Sequence, residues 1–326
     1  MVSVAMCTYN GEEFLSEQLE SILNQTRIPD EIVVVDDCSD DKTIEILGEF
    51  QESYPSVVKI FENKKNIGIT KNFQKSISLT SGDLIAFSDQ DDIWKETKLE
   101  KCINKLLSDP EQLVCHNSKI FQREKNTNRT LWDTRSPPDA KDATRQGMRL
   151  IQGNYVQGAT MMFTKDLIDE ILPIPENWSH DWYIALMGAI ISGIIEVDEE
   201  LLYYRQHNNN AVGSPQSQIE IVINNVRSMS KQRNKQRSSY ERWLNAKSII
   251  ESYSQEELVA NKGEIVAELE KRIQFERRRH KLYTERSFSK FPKVILNKKE
   301  GYYDKFGRGN ISMFADVVYS LLSCFR

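Results

Sequence analysis

Apolar residues in the first hundred positions fall into two alternating rhythms. Val2–Thr8, Glu31–Asp36 and residues 57–61 and 84–87 are apolar or β-branched runs of strand length. Between them, Phe14, Leu15, Leu19, Ile22 and Leu23, then Ile44, Leu47 and Phe50, then Phe73 and Ile77 recur at helical spacing. Pro29-Asp30 breaks the chain, Ser39 or Asp40 is placed to cap the second helix, and residues 63–68 form a loop before a helix starting at Thr70. Lys95-Glu96-Thr97-Lys98-Leu99 reads as a further helix start. Strands alternating with helices predict a three-layer α/β domain with a mainly parallel sheet.

Further along, residues 113–121 predict a strand, 123–146 a polar excursion carrying Pro137-Pro138, and 160–163 another strand just after Gln157-Gly158-Ala159. Trp178-Ser179-His180-Asp181-Trp182 precedes a helix-like run from Tyr183 to Ile191, and residues 196–204 read as paired strands. After Pro215 the character changes. Ile219, Val222, Val226 and Met229 make one helical stripe, followed by Lys231, Arg233, Lys235 and Arg237. Leu258, Ile265, Leu269 and Ile273 make a second, followed by Arg277-Arg278-Arg279-His280-Lys281, and Phe314, Val317, Val318, Leu321, Leu322 and Phe325 share a broad apolar face. The expected division is residues 1–215 as the α/β domain and 216–326 as a basic, mainly helical region.

Charge sharpens that division. Residues 1–220 hold 21 basic and 36 acidic residues (−15), and residues 221–326 hold 22 and 12 (+10), within a total of −5 over 326 residues. The basic third admits two readings, contact with an anionic membrane surface or an intramolecular or oligomer-forming helical hairpin whose basic face is solvated or faces the acidic domain. No aromatic-interleaved module supports nucleic-acid binding. The five cysteines include no C-x-x-C pair, which points to neither a zinc site nor a disulfide framework and fits a reducing compartment. Residues 2–7 are too short for a signal-peptide core, and no apolar run approaches the roughly 20 residues that span a bilayer. The expected location is cytoplasmic, with the inner face of the plasma membrane as a possible docking surface.

Candidate chemistry centres on Ser88-Asp89-Gln90-Asp91-Asp92-Ile93-Trp94. Three carboxylates sit where a buried strand stops, and ligands of an open α/β sheet bind at that edge. Three acids within four residues repel one another unless a cation joins them, and sulfur-free oxygen ligands suit Mg²⁺ or Mn²⁺. A solvated acidic turn is the alternative. A second strand also ends in acids, Asp36-Asp37, and parallel strands place both acid sets on one edge. No G-x-G-x-x-G follows the first strand and no G-x-x-x-x-G-K-[ST] occurs, so a nucleotide here is gripped by acids, backbone and metal rather than a glycine cradle.

Thr8-Tyr9-Asn10, Val35-Asp36-Asp37-Cys38-Ser39-Asp40, Asn66-Ile67-Gly68, Ser88 to Trp94, His180-Asp181-Trp182 and Tyr204-Arg205-Gln206-His207 stand in the order of family 2 glycosyltransferases of the GT-A fold. Together they most resemble bacterial rhamnosyltransferases of surface polysaccharide assembly, over roughly residues 1–213. Cys38 departs from the Gly or Asn common in the family.

The resemblance implies a GT-A type three-layer sandwich with a C-terminal helical appendage. It also implies inverting transfer of a sugar from a nucleoside diphosphate to a hydroxyl. It assigns Asp91 as metal ligand, Asp89 to the ribose or the metal's water shell, and His207 to completing the metal site. Asp181 matches the base that takes the acceptor's proton, and a helix N-cap is its alternative. Asp92 is second choice for the base. Asp36 and Asp37 match acids that bond nucleobase and ribose, with turn capping as the alternative, and Thr8 and Asn10 flank them. Tyr9 is placed to stack on the base, and Gly68 lets backbone approach the donor. Gly158 matches the loop beside the donor sugar. Lys71 or Arg205 is a candidate partner for the diphosphate, and Trp94 and Trp182 are candidate sugar platforms or core residues.

The expected donor is dTDP-rhamnose first and a UDP-hexose second, with Mn²⁺ or Mg²⁺. The expected acceptor is a growing glycan on a lipid carrier, or else a glycosylated adhesin. A non-catalytic, nucleotide-sugar-binding assembly subunit is the alternative of another class.

Overall fold

The structure, a computed structural model, describes residues 1–122, 125–139, 142–207, 229–284 and 290–322. The first half alternates as read: β1 (Val2–Thr8), α1 (Leu15–Leu23), β2 (Glu31–Asp36), α2 (Thr43–Ser53), β3 (Val58–Glu62), α3 (Ile69–Leu79) and β4 (Leu84–Ser88). These four strands are parallel in the order β3-β2-β1-β4, with Thr8 beside Asp36 and Met6 beside Ser88. Side-chain alternation sends Val4, Met6, Val34 and Ala86 to one face of the sheet, and Ala5, Ile85 and Phe87 to the other. Both faces are covered by helices, which makes three layers.

β5 (Ile93–Trp94), α4 (Lys98–Ser108), β6 (Leu113–Gln122), β7 (Lys125–Thr130), α5 (Ala143–Gln152), β8 (Met161–Thr164), α6 (Lys165–Ile171), α7 (His180–Ile191) and β9 (Ile195–Gln206) complete the curled sheet in the order β4-β8-β6-β9-β5. Three sequence expectations change here. The polar stretch 123–146 carries β7 and the start of α5, which buries Gln146, Gly147, Leu150 and Ile151. Residues 196–204 form not paired strands but one strand, β9, parallel to β6 through two register shifts and antiparallel to β5. The second helix is served not by Ser39 or Asp40 but by Asp41, whose carboxylate accepts from the Thr43 amide at 2.9 Å.

The C-terminal region is helical: α8 (Met229–Ser252), α9 (Lys262–Thr284), α10 (Lys290–Lys299), α11 (Tyr302–Phe306) and α12 (Asn310–Leu322). It is no detached appendage, because Trp243, Ile250, Ile265 and Leu269 share one core with Ile184 and Ile190 of α7. The 215/216 boundary and the stripe at Ile219, Val222 and Val226 lie outside the described residues.

Two expectations about this region are corrected. The basic run is partly internal, since Arg279 grips buried Asp316 through two bonds of 2.8 and 2.9 Å and Arg278 pairs with Glu300 at 2.6 Å. The last helix buries Ala315, Asp316, Tyr319 and Ser320 and leaves Phe314 57% exposed. Asp316 also accepts from the hydroxyls of Tyr283 and Tyr303, which draws that polar face inward. Among the described residues no helix is long and apolar enough to cross a membrane.

Candidate active site

The acidic turn leaves β4 and returns through β5, which pairs with β9. That pairing sets the Arg205 amide 3.2 Å from the buried Asp92 carboxylate, and two residues later His207 Nε2 meets Asp91 Oδ2 at 2.8 Å. Residues 116 positions apart thus form one corner at the end of the sheet. Arg205 is committed within this frame. It donates to the Asp91 carbonyl at 2.9 Å, pairs with Glu17 and lies over the rings of Phe14 and Phe121. The expected diphosphate partner therefore serves as a brace of the turn. Of the two readings of Trp94, sugar platform or core, the burial matches the core: it is 3% exposed and covered by Lys98.

On the neighbouring strand, Asp36 accepts from Thr8 Oγ1 at 2.8 Å and from the Ser39 amide and hydroxyl at 2.8 and 2.5 Å. Asp37 accepts from the amides of Ile67 and Gly68 at 2.8 and 2.9 Å and from Asn63 at 2.9 Å. The acid pair thus builds the loop. Gly68, at φ 86°, opens α3 with clear space where a side chain would stand. Tyr9 is 49% exposed, and its amide and carbonyl are both clamped by the side chain of Gln90 at 2.8 and 3.0 Å. Asn10 takes a positive φ of 49° and binds Ser39 and Asp40. Lys71 lies outside this cluster, on the surface against Glu176.

Asp181 stands in the first turn of α7. Its carboxylate accepts from Asn154 Nδ2 at 2.9 Å and from the Trp182 amide at 2.7 Å. Gly158, in the 3-10 turn Gly158–Thr160, packs so closely that an added Cβ would lie 3.0 Å from His180 Nε2 and 3.6 Å from the Asp181 Cβ. Trp182 is half-buried, with its indole N–H donated to Leu150 O at 2.8 Å. Arg242 of α8 lies over the rings of Trp178 and Trp182.

These groups feel one another. Burial first, then the negative fields of Asp91 and Asp181, push the Asp89 carboxyl up to about 7. Burial, then Asp91 and Asp89, hold Asp92 well above the carboxylate range. His180, beside Asp181, packs edge-on against Phe87 near the end of β4 at 5.4 Å, which brings the first turn of α7 to the sheet's carboxyl edge, the place where an open α/β sheet takes its ligand.

The sequence profile described as Glycosyl transferase family 2 matches residues 3–172. The chain belongs to this family. Its relative described as dTDP-rhamnosyl transferase RfbG, from Shigella flexneri, is 32% identical over 215 residues, 64% of this chain and 74% of that protein. The Staphylococcus aureus TarS crystal structure, residues 1–349, superposes at a TM-score of 0.57 and 17% identity, covering 99% of this chain and 88% of that one. A mannosyltransferase from Pyrobaculum calidifontis, in complex with GDP-Man and Mn²⁺, superposes at 0.52 and 14% identity over 99% of this chain and 86% of that one. These two similarities establish the GT-A fold.

Within this family 2 site, sequence reading passed over Gln90, Asn154, Lys98 and Glu17. Each is a polar residue whose role lies in what it holds rather than in a motif. The signal available was adjacency: Gln90 sits inside the acidic motif, and Lys98 four residues after it. Among the described residues no three His, Cys, Asp or Glu side chains converge closely enough to enclose a metal ion.

Proposed function

We propose that this family 2 enzyme moves a sugar from a nucleoside diphosphate to a hydroxyl with inversion, and that dTDP-rhamnose is its donor, with a UDP-hexose second. The observation that carries the reading is the corner of Asp91 and His207, at 2.8 Å, on the sheet edge to which His180 and Phe87 bring the first turn of α7 with Asp181. In-line displacement needs the leaving group on one side and a base on the other. The 32% identity to a dTDP-rhamnosyl transferase supports the donor, as does the Shigella protein's match over most of its own length.

Asp91 and His207, which already meet at 2.8 Å, with Asp89 two residues before Asp91, are the residues that would hold a hard divalent ion, although the three do not converge as a cage in this structure. Carboxylate oxygens suit Mg²⁺ or Mn²⁺, and such ions fill the rest of their shell with substrate phosphates and water. Bound there, the ion supplies charge neutralisation to the departing diphosphate. Tyr9, Gly68 and the backbone held by Asp36 and Asp37 receive the nucleoside. Asp181, oriented by Asn154, takes the acceptor proton. The proposed acceptor is a growing surface glycan on a lipid carrier.

The test is a donor panel. Purified protein with Mn²⁺ or Mg²⁺ meets dTDP-rhamnose, UDP-glucose, UDP-galactose and UDP-N-acetylglucosamine, and both binding and release of nucleoside diphosphate are followed. Turnover of one donor, lost in Asp91→Ala and in Asp181→Asn, is expected, with donor binding retained in Asp181→Asn. Binding without turnover across sugar acceptors would point to an assembly subunit, and absence of nucleotide binding with or without metal would refute the site.

A further inference from the structure

We propose that Lys98 is a positioning residue, a buried tie between the acidic turn and the Gly158–Thr160 turn that fixes the gap across which sugar transfer takes place. The proposal rests on the reading of this site as a glycosyltransferase centre. Lys98 opens α4 and is 1% exposed, among the largest fully buried side chains of the protein. Its ammonium donates to the Ala159 carbonyl at 2.6 Å and lies 3.4 Å from the centre of the Trp94 ring.

Each contact leads to one side of the site. Trp94 belongs to β5, the strand by which the acidic turn returns. Ala159 belongs to the turn whose Gly158 packs against His180 and Asp181. One side chain therefore joins β5, which follows the acidic turn, to the turn that packs on the start of α7.

The burial of this charge asks for a reason. Among the described residues no carboxylate forms an ion pair with Lys98, and a buried ammonium without a counter-charge in contact costs several kcal/mol. Burial pulls its pKa down to about 7, opposed by Cys102, Asp92 and Asp89. Asp92 is 0% exposed, and its Oδ2 has no hydrogen-bond partner among the described residues. An apolar side chain of similar length would satisfy packing equally well. What it would not do is hold the Ala159 carbonyl, and displacement of reacting groups by about 1 Å costs on the order of a hundredfold in rate.

Lys98→Met keeps length and removes both charge and donor, and Lys98→Arg keeps both. Thermal unfolding, amide exchange, binding of dTDP and UDP with Mn²⁺, and donor turnover are measured on each full-length protein. For Lys98→Met, the expectation is an unfolding temperature equal to or above wild type, since an apolar isostere replaces an unpaired buried charge. Amides of residues 157–160 exchange about tenfold faster. Metal-dependent nucleotide affinity is kept, because removing a cation behind the acids does not weaken a divalent ion's hold. Turnover falls about tenfold or more, and Lys98→Arg recovers part of it.

Unchanged exchange at 157–160 would overturn the tie, as would loss of turnover matched by equal loss of nucleotide binding or of stability. Should Lys98→Met not fold, Lys98→Leu, which also removes both charge and donor, carries the same comparison. A wild-type protein that binds no nucleotide would refute the functional reading, and the exchange measurement would still decide the tie.

Discussion

The join between the two regions of the chain can be tested at Trp243. This residue of α8 is fully buried, with the rings of Trp178 and Trp182 at 5.2 and 5.6 Å in edge-on geometry and the Arg272 guanidinium 4.9 Å from its ring. Trp178 and Trp182 flank Asp181, so the contact links the C-terminal helices to the proposed base. Truncating a fully buried Trp to Ala costs about 3–5 kcal/mol through lost burial and the cavity left behind. The Trp243 Nε1 has no hydrogen-bond partner among the described residues, so Trp243→Ala sacrifices no such bond and Trp243→Phe should cost far less. With an unfolding entropy of about 2 cal/mol/K per residue, a loss of 4 kcal/mol lowers the midpoint of a 326-residue chain by about 6 °C. Calorimetry, with urea unfolding followed by circular dichroism, measures the shift, and donor turnover is followed in parallel. A single lowered transition with reduced turnover is expected. Two transitions, the larger one unmoved and turnover intact, would refute a shared core and restore a detachable appendage.

Three further outcomes follow from the geometry. Asn154→Ala releases one oxygen of Asp181, so turnover should fall by about tenfold while nucleotide affinity holds, and a loss of affinity instead would place Asn154 in donor binding. Glu31 is 1% exposed. Burial alone would raise its pKa, but bonds from Lys59, Ser3 and Ser81 outweigh that and bring it down to about 2. Because the folded value lies below the unfolded one, the stabilisation is complete above about pH 4.5 and is lost as pH falls toward 2. Lys59 is 46% exposed, so screening limits the term to about 1–2 kcal/mol. The urea-midpoint gap between wild type and Glu31→Gln should narrow below pH 4.5, and a gap constant from pH 3 to 7 would contradict this account. Chelation should abolish turnover reversibly, and His207→Ala should raise the Mn²⁺ concentration for half-maximal rate; an unchanged requirement removes His207 from the metal site.

What the sequence made legible was the part governed by local rules. The continuous apolar runs of β1, β2 and β4 and the helical stripes between them are each written in a few consecutive residues, and parallel pairing then carries Asp36 and Asp89 to one edge without further information. His207 was legible as an ordered motif, yet its meeting with Asp91 depends on β9 running unbroken to pair with the two-residue β5, a long-range pairing no short window encodes.

The burial of charge within the C-terminal third was not legible, for a different reason. Pattern reading assigns charges to solvent, but α9 buries Glu268, Arg272 and Glu276 beside Leu269 and Phe275, with Arg272 and Glu276 paired at 2.8 Å. A paired, bonded charge behaves in a core as a large polar filler. The same inversion turned Asp316 inward and Phe314 outward on α12. Asp36 and Asp37 follow the rule too: their oxygens are spent on backbone amides and hydroxyls that shape the loops. The acids most visible in the sequence therefore divide into two kinds. Asp36 and Asp37 build the rim, and the half-buried Asp89, Asp91 and Asp181 repel one another across the space between the turns, which is the electrostatic state a cationic ligand relieves.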